Sequence, residues 1–296
     1  MIASRDLYLR GVLDPKLDVV FKLLLARPDN ATLLRSMIEA VVDLPSPIAS
    51  VTVLNPEIPR DLASLKSVVL DVCVRCEDGT LIDIEMETRP RADIAPRLLL
   101  YWARLYSGQL VRGESYSKLR RAISIVWLNG IIPGLGPGFH STYHVAEDTT
   151  RGLLTNHLEM HLLWLPRLDS SEILTPRLDR WARFFLATDV ESLHALALED
   201  PIMSKAVNEL ERISGDSAAR RLLEDIETGR QLHGHYLAVA KEEGEREGMA
   251  KGIEQGIEQG LARGLETVAR RMIARGVPIE QIAELTGLSP DIIREL

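Results

Sequence analysis

Apolar residues recur at helical spacing from Leu17 to Leu25, and Pro15 suits the first turn ahead of them. Asn30 is placed to cap a second helix that runs to Val42 and stops before Pro45. Val51 to Leu54 reads as a short strand. Ser67 to Cys76 and Leu81 to Thr88 alternate apolar and polar residues, and Asp78-Gly79 between them signals a hairpin. Ile94 to Val111 has the pattern of a long helix, with Gly113 placed to close it. Ala122 to Leu128 is continuously apolar, as in a buried strand, and ends at Asn129-Gly130. Gly134 to Gly138 is a loop, Tyr143 to Ala146 and Leu158 to Leu165 are further strands, and about Ile173 to Tyr236 is mostly helical.

The hairpin sorts its side chains by parity, because neighbours on a strand point to opposite faces. Val68, Leu70, Val72 and Val74 share an apolar face with Ile82, Ile84 and Met86. Asp71, Cys73 and Arg75 share the other face with Leu81, Asp83, Glu85 and Glu87. Directly paired residues must share a face, so the loop has an odd number of residues. A loop of Asp78-Gly79-Thr80 pairs Val72 with Met86, Asp71 with Glu87, Cys73 with Glu85 and Arg75 with Asp83. That register collects Asp71, Glu85 and Glu87. Carboxylates so close repel unless a cation lies among them, and hard oxygen donors suit Mg²⁺ or Mn²⁺. Such an ion can activate water and stabilise a crowded phosphate. The other reading is the solvated outer face of an edge hairpin, with Arg75 and Asp83 as a cross-strand pair.

Beyond residue 236 the pattern changes. Glycines stand at 244, 248, 252, 256, 260 and 264, every fourth residue. They form one slowly drifting stripe on a helix, beside a stripe of Ile253, Ile257, Leu261 and Leu265. Each glycine costs about 1 kcal/mol against alanine, so such a helix needs a partner face to stay ordered. A self-association helix meets that need; a flexible linker is the alternative. Helix, turn and short helix follow at Ile279–Leu285, Thr286–Ser289 and Pro290–Leu296. This outline suits helix-turn-helix, but Asp291 and Glu295 in the short second helix would face phosphates, which favours a packing tail.

The net charge of −8 argues against nucleic acid, but its distribution alters the picture. Residues 1–130 carry 17 Lys/Arg against 16 Asp/Glu; residues 131–296 carry 18 against 27. Arg89 to Arg121 holds eight basic residues and only two acids, Asp93 and Glu114. A local basic patch can attract phosphate within a Debye length, about 8 Å, whatever the global sign; a solvated helix face accounts for it equally. Cys73 and Cys76 have an odd separation, which points their thiols to opposite faces and disfavours a shared zinc. His157, Glu159 and His161 share one strand face, which reads as solvated with a metal face as the alternative, and Trp102, Trp127, Trp164 and Trp181 are scattered as core residues are. No apolar run reaches the ~18 residues of a membrane span, and residues 1–13 carry Arg5, Asp6 and Arg10 where a signal peptide would be apolar. With two cysteines only, the expectation is a cytoplasmic protein.

Leu70-Asp71, then Ile84-Glu85-Met86-Glu87, resembles the PD-(D/E)XK pattern: an Asp closing an apolar half-strand, a turn, then an acid, any residue, and Lys or Gln. The surroundings resemble the Rpn (recombination-promoting nuclease) family, a family of transposases and DNA endonucleases. Asp14-Pro-Lys-Leu-Asp18-Val-Val-Phe21-Lys22 is similar to its first helix, and Arg97, Tyr101, Tyr106, Gln109, Gly113 and Tyr116 follow the order of its next helix. Ile123–Trp127, the glycine period and Ile282–Ser289 are similar to later parts of it; about 166–233 shows little likeness. The resemblance implies an α/β fold with a restriction-endonuclease-like core, a mixed central sheet flanked by helices, and a helical C-terminal extension. It suggests a nuclease domain at 1–235, the glycine segment at 236–265 and a small helical tail at 266–296. It further implies a metal-dependent DNA endonuclease, with Asp71, Glu85 and Glu87 catalytic, Asp71 and Glu85 ligating Mg²⁺ or Mn²⁺, and DNA as partner. Glu87 departs from the pattern's Lys or Gln: a third ligand, a general base and a silent enzyme are the alternatives. Arg89 could replace the missing cation, and Asp18 could add an acid from the first helix. Arg97, Arg104, Gln109 and Lys118 are candidates for docking phosphates. A silent family member that binds DNA or protein, or a homo-oligomeric scaffold built on the C-terminal helix, is the competing expectation.

Overall fold

The computed structural model describes residues 11–44, 48, 51–54, 72–169 and 173–296. The chain divides into two compact units, 1–225 and 226–296. In the first, α1 (Asp18–Leu25) and α2 (Ala31–Val41) precede β1 (Val51–Val53), and the hairpin is β2 (Val72–Cys76) and β3 (Leu81–Glu87). Then come α3 (Ile94–Ser107), β4 (Ala122–Leu128), β5 (His140–Tyr143), β6 (Leu158–Trp164), α4 (Pro176–Leu186), α5 (Val190–Glu199) and α6 (Pro201–Gly215). The division falls within α7 (Ser217–Ile273), and α8 (Ile279–Thr286) and α9 (Pro290–Glu295) end the chain. This is the mixed α/β architecture that the sequence predicts, with C-terminal helices.

The six described strands form one sheet in the order β1-β2-β3-β4-β6-β5. The β3–β4 and β4–β6 pairs are parallel; the others are antiparallel. A parallel neighbour needs a crossover connection, and α3 supplies it between β3 and β4. All seven residues of β4 and of β6 are buried, because helices cover both faces at the centre. On one face Ile94 and Leu98 of α3 pack against Val126, Leu128, Leu162 and Trp164. On the other, Trp127 lies 5.0 Å from Phe185 of α4, which lies 5.9 Å from Phe21 of α1. Local chemistry starts the helices of this second layer. Thr175, Asp189 and Asp200 cap α4, α5 and α6 by accepting backbone hydrogen bonds, and Pro176 and Pro201 occupy first turns.

Four sequence expectations need correction. The hairpin loop is Glu77-Asp78-Gly79, so the pairs are Val72–Ile84, Cys73–Asp83, Val74–Ile82 and Arg75–Leu81. The cause is Asp78, whose carboxylate accepts from both the backbone N and the hydroxyl of Thr80. Thr80 is thereby held in the ladder opposite Cys76. The slip is two residues, so parity and faces survive. Gly79, at φ +87°, takes the left-handed turn position. The helix α3 stops at Ser107, short of Val111, because both ends of the Gln109 side-chain amide bind the backbone of Arg120, at 2.8 and 3.0 Å, and draw the chain away. β5 begins at His140, ahead of the expected Tyr143, since Phe139 is buried and its carbonyl accepts from the Trp164 N–H. Asn30 precedes α2 without capping it; its side chain donates inward to the Leu24 carbonyl instead.

In the second unit the glycine-rich segment is helical. Gly244 to Gly264 meet nothing within 4 Å where a Cβ would stand, and Ile253, Ile257 and Leu261 are more than half exposed. Ala269, Ile282 and Ile293 form a small core that joins α8 and α9 to the end of α7. Gly287 closes α8 in the left-handed conformation and Ser289 caps α9.

Candidate functional site

β3 reads Leu-Ile-Asp-Ile-Glu-Met-Glu, and its even-numbered residues Ile82, Ile84 and Met86 face the helical layer that holds Phe185. Its odd residues therefore face α3. Along that face the environment grades from closed to open: Leu81 and Asp83 are buried, whereas Glu85 and Glu87 are half-buried. The two glutamates thus lie at the carboxyl end of a strand with a parallel neighbour, beside the start of α3. Crevices for ligands form at such strand ends in α/β sheets.

Glu87 is not a free carboxylate. Its Oε2 pairs with Nη2 of Arg97, one turn into α3, and its Oε1 accepts from the backbone N–H of Arg89. Burial alone would favour proton loss from Arg97. The hydrogen bond and charge of Glu87 outweigh it, aided by Tyr101 and Glu85, and hold the guanidinium more firmly protonated than usual. The ring of Tyr101, one turn further on, is 5.9 Å from the Arg97 Cζ. A cation thus stands beside the pattern's last position in Arg97, ten residues on.

Asp71 directly precedes β2 and lies outside the described residues. Among the described residues no three His, Cys, Asp or Glu side chains gather as a metal site. The oxygen donors of Glu85 suit a hard divalent ion, and a second carboxylate would have to come from elsewhere, with Asp71 the residue that the pattern provides. Asp18 pairs with Lys22 at 2.9 Å on α1. Of the phosphate-docking candidates, Lys118 is held by Glu114 at 2.6 Å and Gln109 by the Arg120 backbone. Arg104 is exposed, as is Arg112, and neither has an ion pair among the described residues. Cys73, beside Asp83, has its thiol pushed up to about 12 by burial and then by the Asp83 charge, which disfavours the reactive thiolate.

A second polar cluster corrects the expectation for β6. Glu159 and His161 are buried rather than solvated, on the face away from α3. His161 Nε2 lies 2.8 Å from Glu159 Oε1, its Nδ1 lies 2.9 Å from His140 Nε2, and Arg121 Nη2 reaches Glu159 Oε2 at 2.5 Å. His157 is separate from it, 2.8 Å from the Tyr106 hydroxyl. The sequence shows the alternation but not its partners, because Arg121 and His140 reach the pair only through the order β4-β6-β5.

A family model described as PD-(D/E)XK nuclease family transposase matches residues 15–231. No curated protein and no solved structure matches. The matched span holds the whole described sheet and both glutamates at the end of β3. The chain belongs to the PD-(D/E)XK nuclease family transposases.

Proposed function

We propose that the protein is a metal-dependent DNA endonuclease of the recombination-promoting type, acting in the cytoplasm. The observation that carries this reading is the position of Glu85. It is half-buried at the carboxyl end of β3, on the face where α3 begins, where the sequence resemblance puts the acid of the pattern. Asp71 and Glu85 would hold Mg²⁺ or Mn²⁺, which when bound supplies an activated water and charge for the phosphate. Exposed Arg104 and Arg112, with Arg89, are the cations that would meet DNA phosphates. A nicking assay on supercoiled plasmid tests the reading. Cutting should require Mg²⁺ or Mn²⁺, stop with EDTA, and vanish in Asp71→Ala and in Glu85→Ala while both variants melt like the parent. Cutting that survives both substitutions would remove the site, and absence of cutting with every metal would favour a silent DNA- or protein-binding member.

A second element of the proposal is self-association through α7. Its exposed Ile253, Ile257 and Leu261 run beside glycines that leave the backbone bare, a surface that suits another copy of the same helix.

A further inference from the structure

Resting on the nuclease reading above, we infer that Arg97 is the catalytic cation of the site and that Glu87 is its positioning residue. The family pattern carries Lys or Gln where this chain has Glu87, and a carboxylate there cannot offset charge on a phosphate. The Glu87–Arg97 pair resolves the contradiction, because Glu87 fixes a guanidinium beside the position that the strand cation would fill. The Arg97 side chain is 34% and that of Glu87 22% exposed, so the pair is sheltered yet reachable.

Three further features suit this role. The Arg97 Nε is buried and meets no acceptor among the described residues, so the pair with Glu87 leaves donor capacity unused. Tyr101 lies alongside and restricts the guanidinium plane, which lowers the entropy lost when a phosphate arrives. Glu85 lies two residues before Glu87 on the same face, about 7 Å along a strand, a separation that one phosphate group and its water can bridge.

In hydrolysis the water oxygen bonds to phosphorus and one P–O ester bond breaks. The water gives up a proton to solvent, the departing oxygen takes one from solvent, and nothing is oxidised or reduced. Negative charge grows on the non-bridging oxygens as the bond forms. Arg97 donates to one of them, an interaction that strengthens in the transition state and so raises kcat more than it lowers KM.

The test uses the full chain, with tryptophan fluorescence melts as the fold control, plasmid nicking for kcat and KM, and Mn²⁺ titration by electron paramagnetic resonance as a readout independent of cutting. Arg97→Met should lower kcat about 100-fold, the scale of losing one preorganised donor, with KM within about threefold. Arg97→Lys should lose less, and Glu87→Gln should lose activity by freeing the guanidinium. Glu87→Lys combined with Arg97→Met should recover much of the parent rate, because it returns the cation to the strand. Mn²⁺ affinity should fall in Glu85→Ala but hold in Arg97→Met. A chain that cuts, dies on Glu85→Ala and keeps its rate on Arg97→Met overturns this inference alone. So does a loss of Mn²⁺ binding in Arg97→Met, which would make Arg97 a support of the metal site. A chain that does not cut at all, or that cuts without Glu85, overturns it together with the nuclease reading.

Discussion

Acid should loosen the first unit in two steps, and the cluster on β5 and β6 sets both. Burial, and then the charge of His161, lowers the His140 pKa from 6.5 to about 4. As pH falls from 6.5, the unfolded chain takes up this proton before the folded one does. The stabilisation from neutral His140 is therefore whole above pH 6.5 and is lost between 6.5 and 4. The full difference would be about 3 kcal/mol, and solvent at this partly exposed ring reduces it to ~1–2 kcal/mol. Glu159 adds the second step. Burial opposes its ionisation, but hydrogen bonds and charge from His161 and Arg121 win and bring its pKa from 4.5 to about 2. Its contribution is present above pH 4.5 and falls away toward 2. Trp102, Trp127, Trp164 and Trp181 all lie within 1–225, so tryptophan fluorescence in urea reports this unit by itself. Midpoints should fall steadily from pH 7 to pH 4.5, and His140→Gln should flatten that slope. A flat profile in the parent, or a slope unchanged in His140→Gln, would refute the assignment.

The exposed stripe on α7 makes oligomeric state a direct reading. The full chain should sediment as a dimer or larger at micromolar concentration, and paired Ile257→Glu and Leu261→Glu changes should yield a monomer with an unaltered fluorescence melt; a monomeric parent would leave α7 without a copy as its partner. At the hairpin, Gly79→Ala places a Cβ at φ +87° and 2.9 Å from the Arg120 Cγ, so it should cost about 1–3 kcal/mol in urea unfolding, and no change would mean that the turn relaxes.

Much of this architecture was legible because periodicity reports burial. β4 stood out as an apolar run, and the hairpin faces followed from parity. What failed depended on contacts between distant segments or on side chains acting against their usual bias. Alternation fixes which face a residue takes but not its exact partner, so the register slipped by two when Asp78 bound Thr80. Gln109 has an ordinary helical neighbourhood, yet its tie to the Arg120 backbone ended α3 early. Glu85 and Glu87 were visible as a motif. The Arg97 partner was not, because a separation of ten residues carries no spacing rule, and only the turn from β3 into α3 brings the pair together. Arg121 and His140 were hidden likewise until the order of strands was known.

The acids of β3 have a consequence for the growing chain. β3 pairs with β2 through a short loop, but its other neighbour, β4, starts at Ala122 and is made 35 residues later. During synthesis the hairpin therefore presents an open edge of seven residues rich in isoleucine, leucine and methionine, a segment prone to pair with other copies. Asp83, Glu85 and Glu87 interrupt that segment at every second position. Stacking like strands would bring their charges within a strand spacing, about 5 Å, and the repulsion acts as a gatekeeper. Neutralising the acids one at a time should thus raise the insoluble fraction on expression even where the folded sheet tolerates the change, which makes the same carboxylates guardians of solubility before α3 and β4 close over them.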